Sequence, residues 1–316
     1  MPAISASAPG KVILFGEHAV VYGQPAIAAP VHSVSAKAIV TAAIQAPQGR
    51  VHLAAPQIGL DADLDALPKS DPLAAVVRAG LHALGIQQPP AFNLRVNSTI
   101  AIAGGLGSGA AVSVAVLRAM SAFLGQPLRD EQVSALAFEV EKLHHGTPSG
   151  IDNTVITYAK LIFFAKGRPV EFLQVATPFT LLIAETGFST PTRETVGALR
   201  AAWQADPPHY ERFFAQIGDL ATRARRAILA GDLEQLGPLM DANQELLLQL
   251  DVSSPELDNL VAAAKAAGAL GAKLTGSGRG GNMLALVRAE MASEISAALE
   301  RAGAVGVIIT SIQENS

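Results

Sequence analysis

Apolar positions form short strand-like runs at both ends of the chain and broader helical patterns between them. Residues 3–8 and 11–16 are short apolar stretches on either side of Pro9-Gly10, and residues 26–44 and 50–55 are β-rich, with alternation from Val34 to Val40. The chain is therefore expected to open with strands. From Leu106 to Leu124 the residues are small or apolar on all sides, the mark of a buried helix, and a second helix is expected from Glu131 to His144, stopped by Gly146-Thr147-Pro148. Beyond Asp152, Asn153 to Tyr158 and Leu161 to Ala165 read as strands leading to the turn Lys166-Gly167-Arg168-Pro169.

The second half reads as a strand from Phe179 to Ala184, helices over 192–203, 208–230, 233–248 and 255–267, and strands at 272–275 and 282–287. A helix at 289–302 and a last strand at 305–312 complete it, so both halves are α+β, with lobes expected at 1–170 and 171–316. A length of 316 residues favours two lobes over one core.

Composition narrows the class. Half of the residues are hydrophobic, 16% are charged and mean hydropathy is positive, which suits a well-buried protein. Gly, Pro or charge interrupts each apolar run before a membrane span accumulates. A formal net charge of −4 with scattered Lys and Arg carries no footprint for nucleic acid or an anionic membrane. With no cysteine, disulfides, thiolate chemistry and Cys-ligated metals are excluded. The N-terminus lacks a charged region followed by a long apolar one, so a cytoplasmic location is the expectation.

Three segments carry candidate chemistry. Ala103-Gly104-Gly105-Leu106-Gly107-Ser108-Gly109-Ala110-Ala111 is a glycine-dense turn opening into the buried helix. Glycines let successive N–H groups face one concavity and the helix start adds partial positive charge, which suits phosphate; a tight loop needed only for packing is the plainer alternative. No Gly-Lys-Ser/Thr follows, so this is not a Walker loop. A second cluster, Lys273-Leu274-Thr275-Gly276-Ser277-Gly278-Arg279-Gly280-Gly281-Asn282, lies between two expected strands and has more glycine than a hairpin needs. In the third, Glu141 ends a helix and Asp152 follows a Pro/Gly-rich turn, giving one carboxylate suited to Mg2+ and another suited to a substrate hydroxyl. His144 and His145 are not a zinc pair, because adjacent helical residues point about 100° apart and no third ligand stands at a fitting spacing. Lys11, in Pro9-Gly10-Lys11, is placed to reach a phosphate or carboxylate.

In this order, the segments resemble the GHMP kinases over essentially the whole chain. The first family motif is matched by Pro9-Gly10-Lys11 through Glu17-His18-Ala19-Val20-Val21-Tyr22-Gly23, the second by 103–111 and the third by 273–282. Residues 145–153, with Pro148-Ser149-Gly150-Ile151-Asp152-Asn153, match a further characteristic run. The resemblance implies a two-lobed GHMP kinase fold, with a ribosomal protein S5 domain 2-like N-terminal lobe and a ferredoxin-like C-terminal lobe. It also implies Mg2+-dependent transfer of the γ-phosphoryl of ATP to the 5-hydroxyl of mevalonate, with ATP and mevalonate as small-molecule partners and a homodimer common among relatives.

By the same resemblance Asp152 is the catalytic aspartate, Lys11 its lysine partner at the phosphate, and Glu141 the magnesium-binding glutamate. Ser98 and the loop Gly104, Gly105, Leu106, Gly107, Ser108, Gly109 and Ala110 correspond to nucleotide-binding positions, and Glu17, His18, Gly150, Thr192, Gly276 and Ser277 to positions lining the substrate cleft. One departure is chemical: relatives carry a second serine in this loop as a magnesium ligand, replaced here by Gly109, so either Ser108 or water completes the coordination. Arg279 is either a phosphate contact or a solvent-facing side chain. Asp152 either accepts the hydroxyl proton or orients the hydroxyl. A sister enzyme acting on phosphomevalonate or another mevalonate hydroxyl, and a non-catalytic sensor on the same fold, remain as other readings; retention of Lys11, Glu141 and Asp152 together speaks against the sensor.

Overall fold

The computed structural model describes residues 3–101, 104–145 and 148–313; Ala103, Gly146, Thr147 and the side chains of His144 and His145 lie outside the described residues. Strand β1 (Ile4–Phe15) is followed by a 3-10 turn at Ala19–Tyr22, then β2 (Ala26–Ala42), β3 (Val51–Ala55) and β4 (Leu60–Asp63). Helix α1 (Pro72–Ala83), β5 (Phe92–Ser98), α2 (Ser108–Phe123), α3 (Asp130–His145), α4 (Ile151–Tyr158), β6 (Ile162–Phe164) and β7 (Glu171–Phe172) come next. The remainder is β8 (Phe179–Ser189), α5 (Thr192–Ala205), α6 (Pro207–Ala230), α7 (Leu233–Gln249), α8 (Pro255–Ala266), β9 (Gly271–Thr275), β10 (Gly280–Val287), α9 (Ala292–Arg301) and β11 (Gly306–Ile312).

The chain folds into two compact units. The first is Met1–Gly10, Val34–Ala101 and Gly107–Ala159; the second is Lys11–Ser33, Ile102–Leu106 and Lys160–Ser316. In the first unit the strands run β4-β3-β5-β2, with β3 and β5 parallel and the other pairs antiparallel. Helices α1 to α4 pack on one another, and α2 is their hub, with Val114, Leu117 and Met120 fully buried. Arg118 of α2 ties this layer together by donating to Asp130 and, at 2.6 Å, to the Thr157 carbonyl near the end of α4.

In the second unit β11, β8, β10 and β9 form an antiparallel sheet in that order. Numbered by their sequence order within the sheet this is 4-1-3-2, the βαββαβ arrangement of ferredoxin-like lobes. Every residue of β10 is buried, which is why Met283 to Val287 reads as an unbroken apolar run. The helices begin where their caps predict. Asp206 accepts from the His209 amide before Pro207 of α6, and Ser254 accepts from the Leu257 amide before Pro255 of α8.

Three expectations are corrected. Pro9-Gly10 does not split the first strand, because among the described residues β1 pairs with β2 alone, and an edge strand tolerates the missing proline N–H. Residues 153–158 are not a strand but most of α4. Their β-branched composition is overridden by packing of Ile151, Val155 and Ile156 into the helical layer, and the Thr154 hydroxyl donates back to the Gly150 carbonyl at 2.6 Å. The helix expected at 289–302 is shorter, a 3-10 turn at Ala289–Met291 preceding α9. Among the described residues no helix is long and apolar enough to cross a membrane.

Helix α7 meets β9 backbone to backbone: a Cβ on Gly237 would stand 2.3 Å from the Leu270 carbonyl oxygen, and one on Gly271 would stand 2.3 Å from that of Gly237. Gly237→Ala is therefore expected to cost about 2 kcal/mol or more in urea unfolding, while Gly109→Ala, whose added methyl meets open space, leaves stability unchanged or slightly raised.

Candidate active site

The first and third motifs meet inside the second unit. Thr275, the last residue of β9, accepts the Ile13 amide at 3.1 Å and donates its hydroxyl to the Ile13 carbonyl at 3.0 Å, fastening β1 to the hairpin. Two residues before that clamp, the Lys11 amide donates to the Leu106 carbonyl at 2.9 Å. The Asn282 side chain donates to the Gly104 carbonyl, and a Cβ on Gly276 would lie 3.7 Å from the Gly105 oxygen. The segment Gly104 to Leu106 of the second motif is thus held between the other two motifs.

Beyond the clamp the chain turns at Gly16 and buries Glu17 and His18. Glu17 forms an ion pair with Lys273 of β9, and both side chains are wholly inaccessible to solvent. Burial raises the Glu17 carboxyl pKa and lowers that of the Lys273 ammonium; their mutual attraction and hydrogen bond oppose both shifts. Lys273 also donates to the Leu274 carbonyl at 2.6 Å. Glu17 Oε2 is buried and has no hydrogen-bond partner among the described residues.

His18 Nε2 lies 3.0 Å from the Ser277 carbonyl oxygen. A carbonyl only accepts, so Nε2 carries the proton and Nδ1 is left with a lone pair. Burial, with a smaller contribution from the Lys273 and Arg279 charges, lowers the imidazole pKa to about 4. The Thr192 hydroxyl, at the start of α5, stands 3.3 Å from the Ser277 hydroxyl. Glycine is required at Gly278, where φ is +74° and a Cβ would sit 1.8 Å from the Val252 carbonyl oxygen. Arg279 is not poised over the loop: its guanidinium donates to the Asp251 carbonyl at 3.2 Å and to the Asp251 carboxylate at 3.0 Å.

The first unit holds the other expected groups. Gly107 takes the left-handed conformation before α2, whose first turn has no side-chain cap, so the amides of Ser108, Gly109 and Ala110 have no intrahelical acceptor, while that of Ala111 donates to the Gly107 carbonyl at 2.9 Å. Ser108 is half-buried, Ala110 is buried, and Gly109 is exposed with open space where a side chain would project. Glu141 lies near the end of α3 with 8% of its surface accessible. Asp152 is half-buried in the first turn of α4, which starts at Gly150 in the left-handed conformation. Asn153 anchors that turn to α3 by donating to Ser134 at 2.8 and 3.1 Å. Ser98 closes its own turn, accepting the Ile100 amide at 3.1 Å.

The second unit therefore contains Lys11, Gly104, Gly105, Leu106, Glu17, His18, Thr192, Gly276 and Ser277, and the first contains Ser98, Gly107 to Ala110, Glu141, Gly150 and Asp152. Lys273 and Asn282 stand within the third motif, whose pattern alone gives Lys273 no role. The missed signal was a lysine inside the apolar strand Gly271–Thr275, a position tolerable only with a buried anion beside it.

Comparison with known proteins agrees with this arrangement. The family model for the GHMP kinases N terminal domain matches residues 72–160, and that for the GHMP kinases C terminal matches residues 224–305. The chain is 36% identical to a mevalonate kinase of Thermococcus gammatolerans over 96% of its own length and 95% of the relative's. It is 37% identical to one of Aeropyrum pernix, covering 90% and 89%. Among solved structures, L. major mevalonate kinase in complex with R-mevalonate superimposes with a TM-score of 0.83 at 30% identity, covering 99% of this chain and 96% of that one. The Methanococcus jannaschii mevalonate kinase gives 0.85 at 26% identity, covering 99% of each.

His18 should stay neutral well below the usual imidazole range. With a folded pKa of about 4 against about 6.5 unfolded, the unfolded chain binds more protons in that window. Its contribution to stability is then complete above about pH 6.5 and is lost as pH falls toward 4. Nitrogen-15 NMR near pH 5 is expected to show His18 as the neutral Nε2–H tautomer; an imidazolium signal there would contradict the assignment.

Proposed function

This chain belongs to the GHMP kinase family, within its mevalonate kinase branch, and from that we propose that it transfers the γ-phosphoryl of ATP to the 5-hydroxyl of mevalonate, giving 5-phosphomevalonate and ADP. The observation that carries the reading is the interlock of the three motifs: Glu17 and His18 sit on the third-motif hairpin, Asn282 of that hairpin donates to the Gly104 carbonyl, and the Lys11 amide donates to the Leu106 carbonyl. That interlock supports a built recognition surface rather than an ordinary hairpin.

Phosphoryl transfer passes through a loose transition state whose charge spreads over the equatorial oxygens, so positioning and positive potential supply most of the acceleration. Lys11 supplies a cation, and the uncapped first turn of α2 supplies amide donors to the triphosphate. Asp152 takes the hydroxyl proton or orients the hydroxyl for attack. Neutral His18 and the buried, unpartnered carboxylate oxygen of Glu17 are candidate acceptors for a hydroxylated substrate, and Thr192 with Ser277 adds hydroxyl groups beside them. Serving chiefly as acceptors and neutral donors, these groups suit a polyol acid better than a second phosphate.

Mg2+ fits the donor set in the first unit, because Glu141 and Ser108 provide the hard carboxylate and hydroxyl oxygens that it prefers. When bound it would neutralise phosphate charge. The open space at Gly109 would accept the serine that relatives carry, and in its absence Ser108 or water would complete the coordination.

With ADP release as the readout, mevalonate is expected to exceed 5-phosphomevalonate, galactose and homoserine in kcat/KM by roughly 100-fold or more; a preference for the phosphorylated acceptor would overturn the reading. Asp152→Asn should lower kcat by about 100-fold or more while the KM for ATP stays within about threefold. Gly109→Ser should reduce the Mg2+ concentration needed for half-maximal rate, and equilibrium titration with Mn2+ in the presence of nucleotide should show tighter binding in the same variant.

A further inference from the structure

A lysine with no access to water is expensive to bury, and the fold places one inside a strand that already docks β1 by other means. Thr275 alone makes two hydrogen bonds to Ile13, so attaching the strand does not require a charge at Lys273. The ammonium instead holds one oxygen of Glu17, leaving the other, Oε2, buried and unpartnered. An unpaired acceptor in that setting marks a direction in which something else is meant to donate.

The next residue is His18, whose ring is seated on the Ser277 carbonyl in the turn that Lys273 and Leu274 lead into. One cation therefore sits at the root of both candidate acceptors. It fixes the Glu17 carboxylate by contact, and its charge helps keep the neighbouring imidazole neutral. The groups facing Glu17 are few: Lys273 in contact, and Lys11 acting at longer range.

We propose that Lys273 is a positioning residue for acceptor-substrate recognition: its ammonium holds one oxygen of Glu17 so that the other, Oε2, is oriented to accept a hydroxyl of the alcohol substrate. The proposal rests on the mevalonate kinase reading above and adds to it a residue whose role is exerted through Glu17. Thr275 secures the hairpin to the strand, and Lys273 sets the charge and direction of the carboxylate next to it. No bond to the transferred phosphoryl group involves Lys273.

The test compares wild type, Lys273→Met and Lys273→Arg in steady-state kinetics against mevalonate and ATP across pH. Lys273→Met is expected to raise the KM for mevalonate by roughly tenfold or more while that for ATP stays within about twofold. Without the cation the carboxyl titrates higher, so the acid limb of kcat/KM for mevalonate should move up by about one pH unit or more. Lys273→Arg, which restores a cation, should return that limb toward its wild-type position. A purely structural lysine would change thermal stability and leave both the KM split and the limb unmoved, and that outcome overturns the proposal.

Should Lys273→Met fail to fold, Glu17→Gln/Lys273→Met removes both charges and avoids a buried unpaired ion. Its expected signature is loss of that acid limb together with the raised KM for mevalonate; wild-type values for both would again overturn the proposal. A wild-type enzyme that does not phosphorylate mevalonate at all overturns the underlying reading and this inference with it, and so is distinguishable from failure of the lysine's role alone.

Discussion

A fully buried lysine and glutamate, Lys273 and Glu17, stand where the first motif meets the third, and the candidate acceptor groups are arranged around that contact. Such a pair is a poor device for stability in itself. Desolvating two ions offsets most of their attraction, and apolar residues of similar volume often do as well. Its consequence is specificity of geometry, because either charge left alone in the interior would cost several kcal/mol. The Thr275 clamp holds strand β1 and the β9–β10 hairpin in one register, and beside it the pair fixes the Glu17 side chain, with His18 seated on the Ser277 carbonyl.

The two glycine loops act through their backbones, and this explains their composition. Gly278 must be glycine because Val252 occupies the space where a side chain would go. Gly109 is under no such constraint, so the lost serine there is a chemical change rather than a steric one. At the start of α2 no side chain caps the helix, as is also the case at α4, α5 and α9, whereas α1, α6, α7 and α8 each have a capping Asp or Ser. What sets α2 apart from α4 is its first turn, which carries no acid, whereas that of α4 carries Asp152.

Much of this was legible in the sequence where local and global signals agree. The helices of the second half announce themselves through Asp206-Pro207 and Ser254-Pro255 and through regular apolar spacing, and α2 through its all-round small residues. Strand β5 and helix α1 carry quieter signals, the alternation of Phe92, Leu94 and Val96 and the helix start at Asp71-Pro72. At α4 composition misled, since Thr154, Val155, Ile156 and Thr157 favour a strand in isolation and only packing on α2 and α3 makes them helical. The site was legible as motifs, which named Glu17 and His18, but not as a network. Nothing local to Lys273 says which carboxylate it meets 256 residues away in sequence.

The chemistry ascribed to these groups is the formation of one phosphate ester on a primary alcohol. Proton-coupled phosphorus NMR of the product made by the purified protein from mevalonate and MgATP tests this most directly. The account predicts a single new monoester whose phosphorus couples to the methylene protons at carbon 5, accompanied by stoichiometric ADP. A product lacking that coupling, as an ester at the tertiary 3-hydroxyl would, or ATP consumption with no phosphorus on mevalonate, would contradict it.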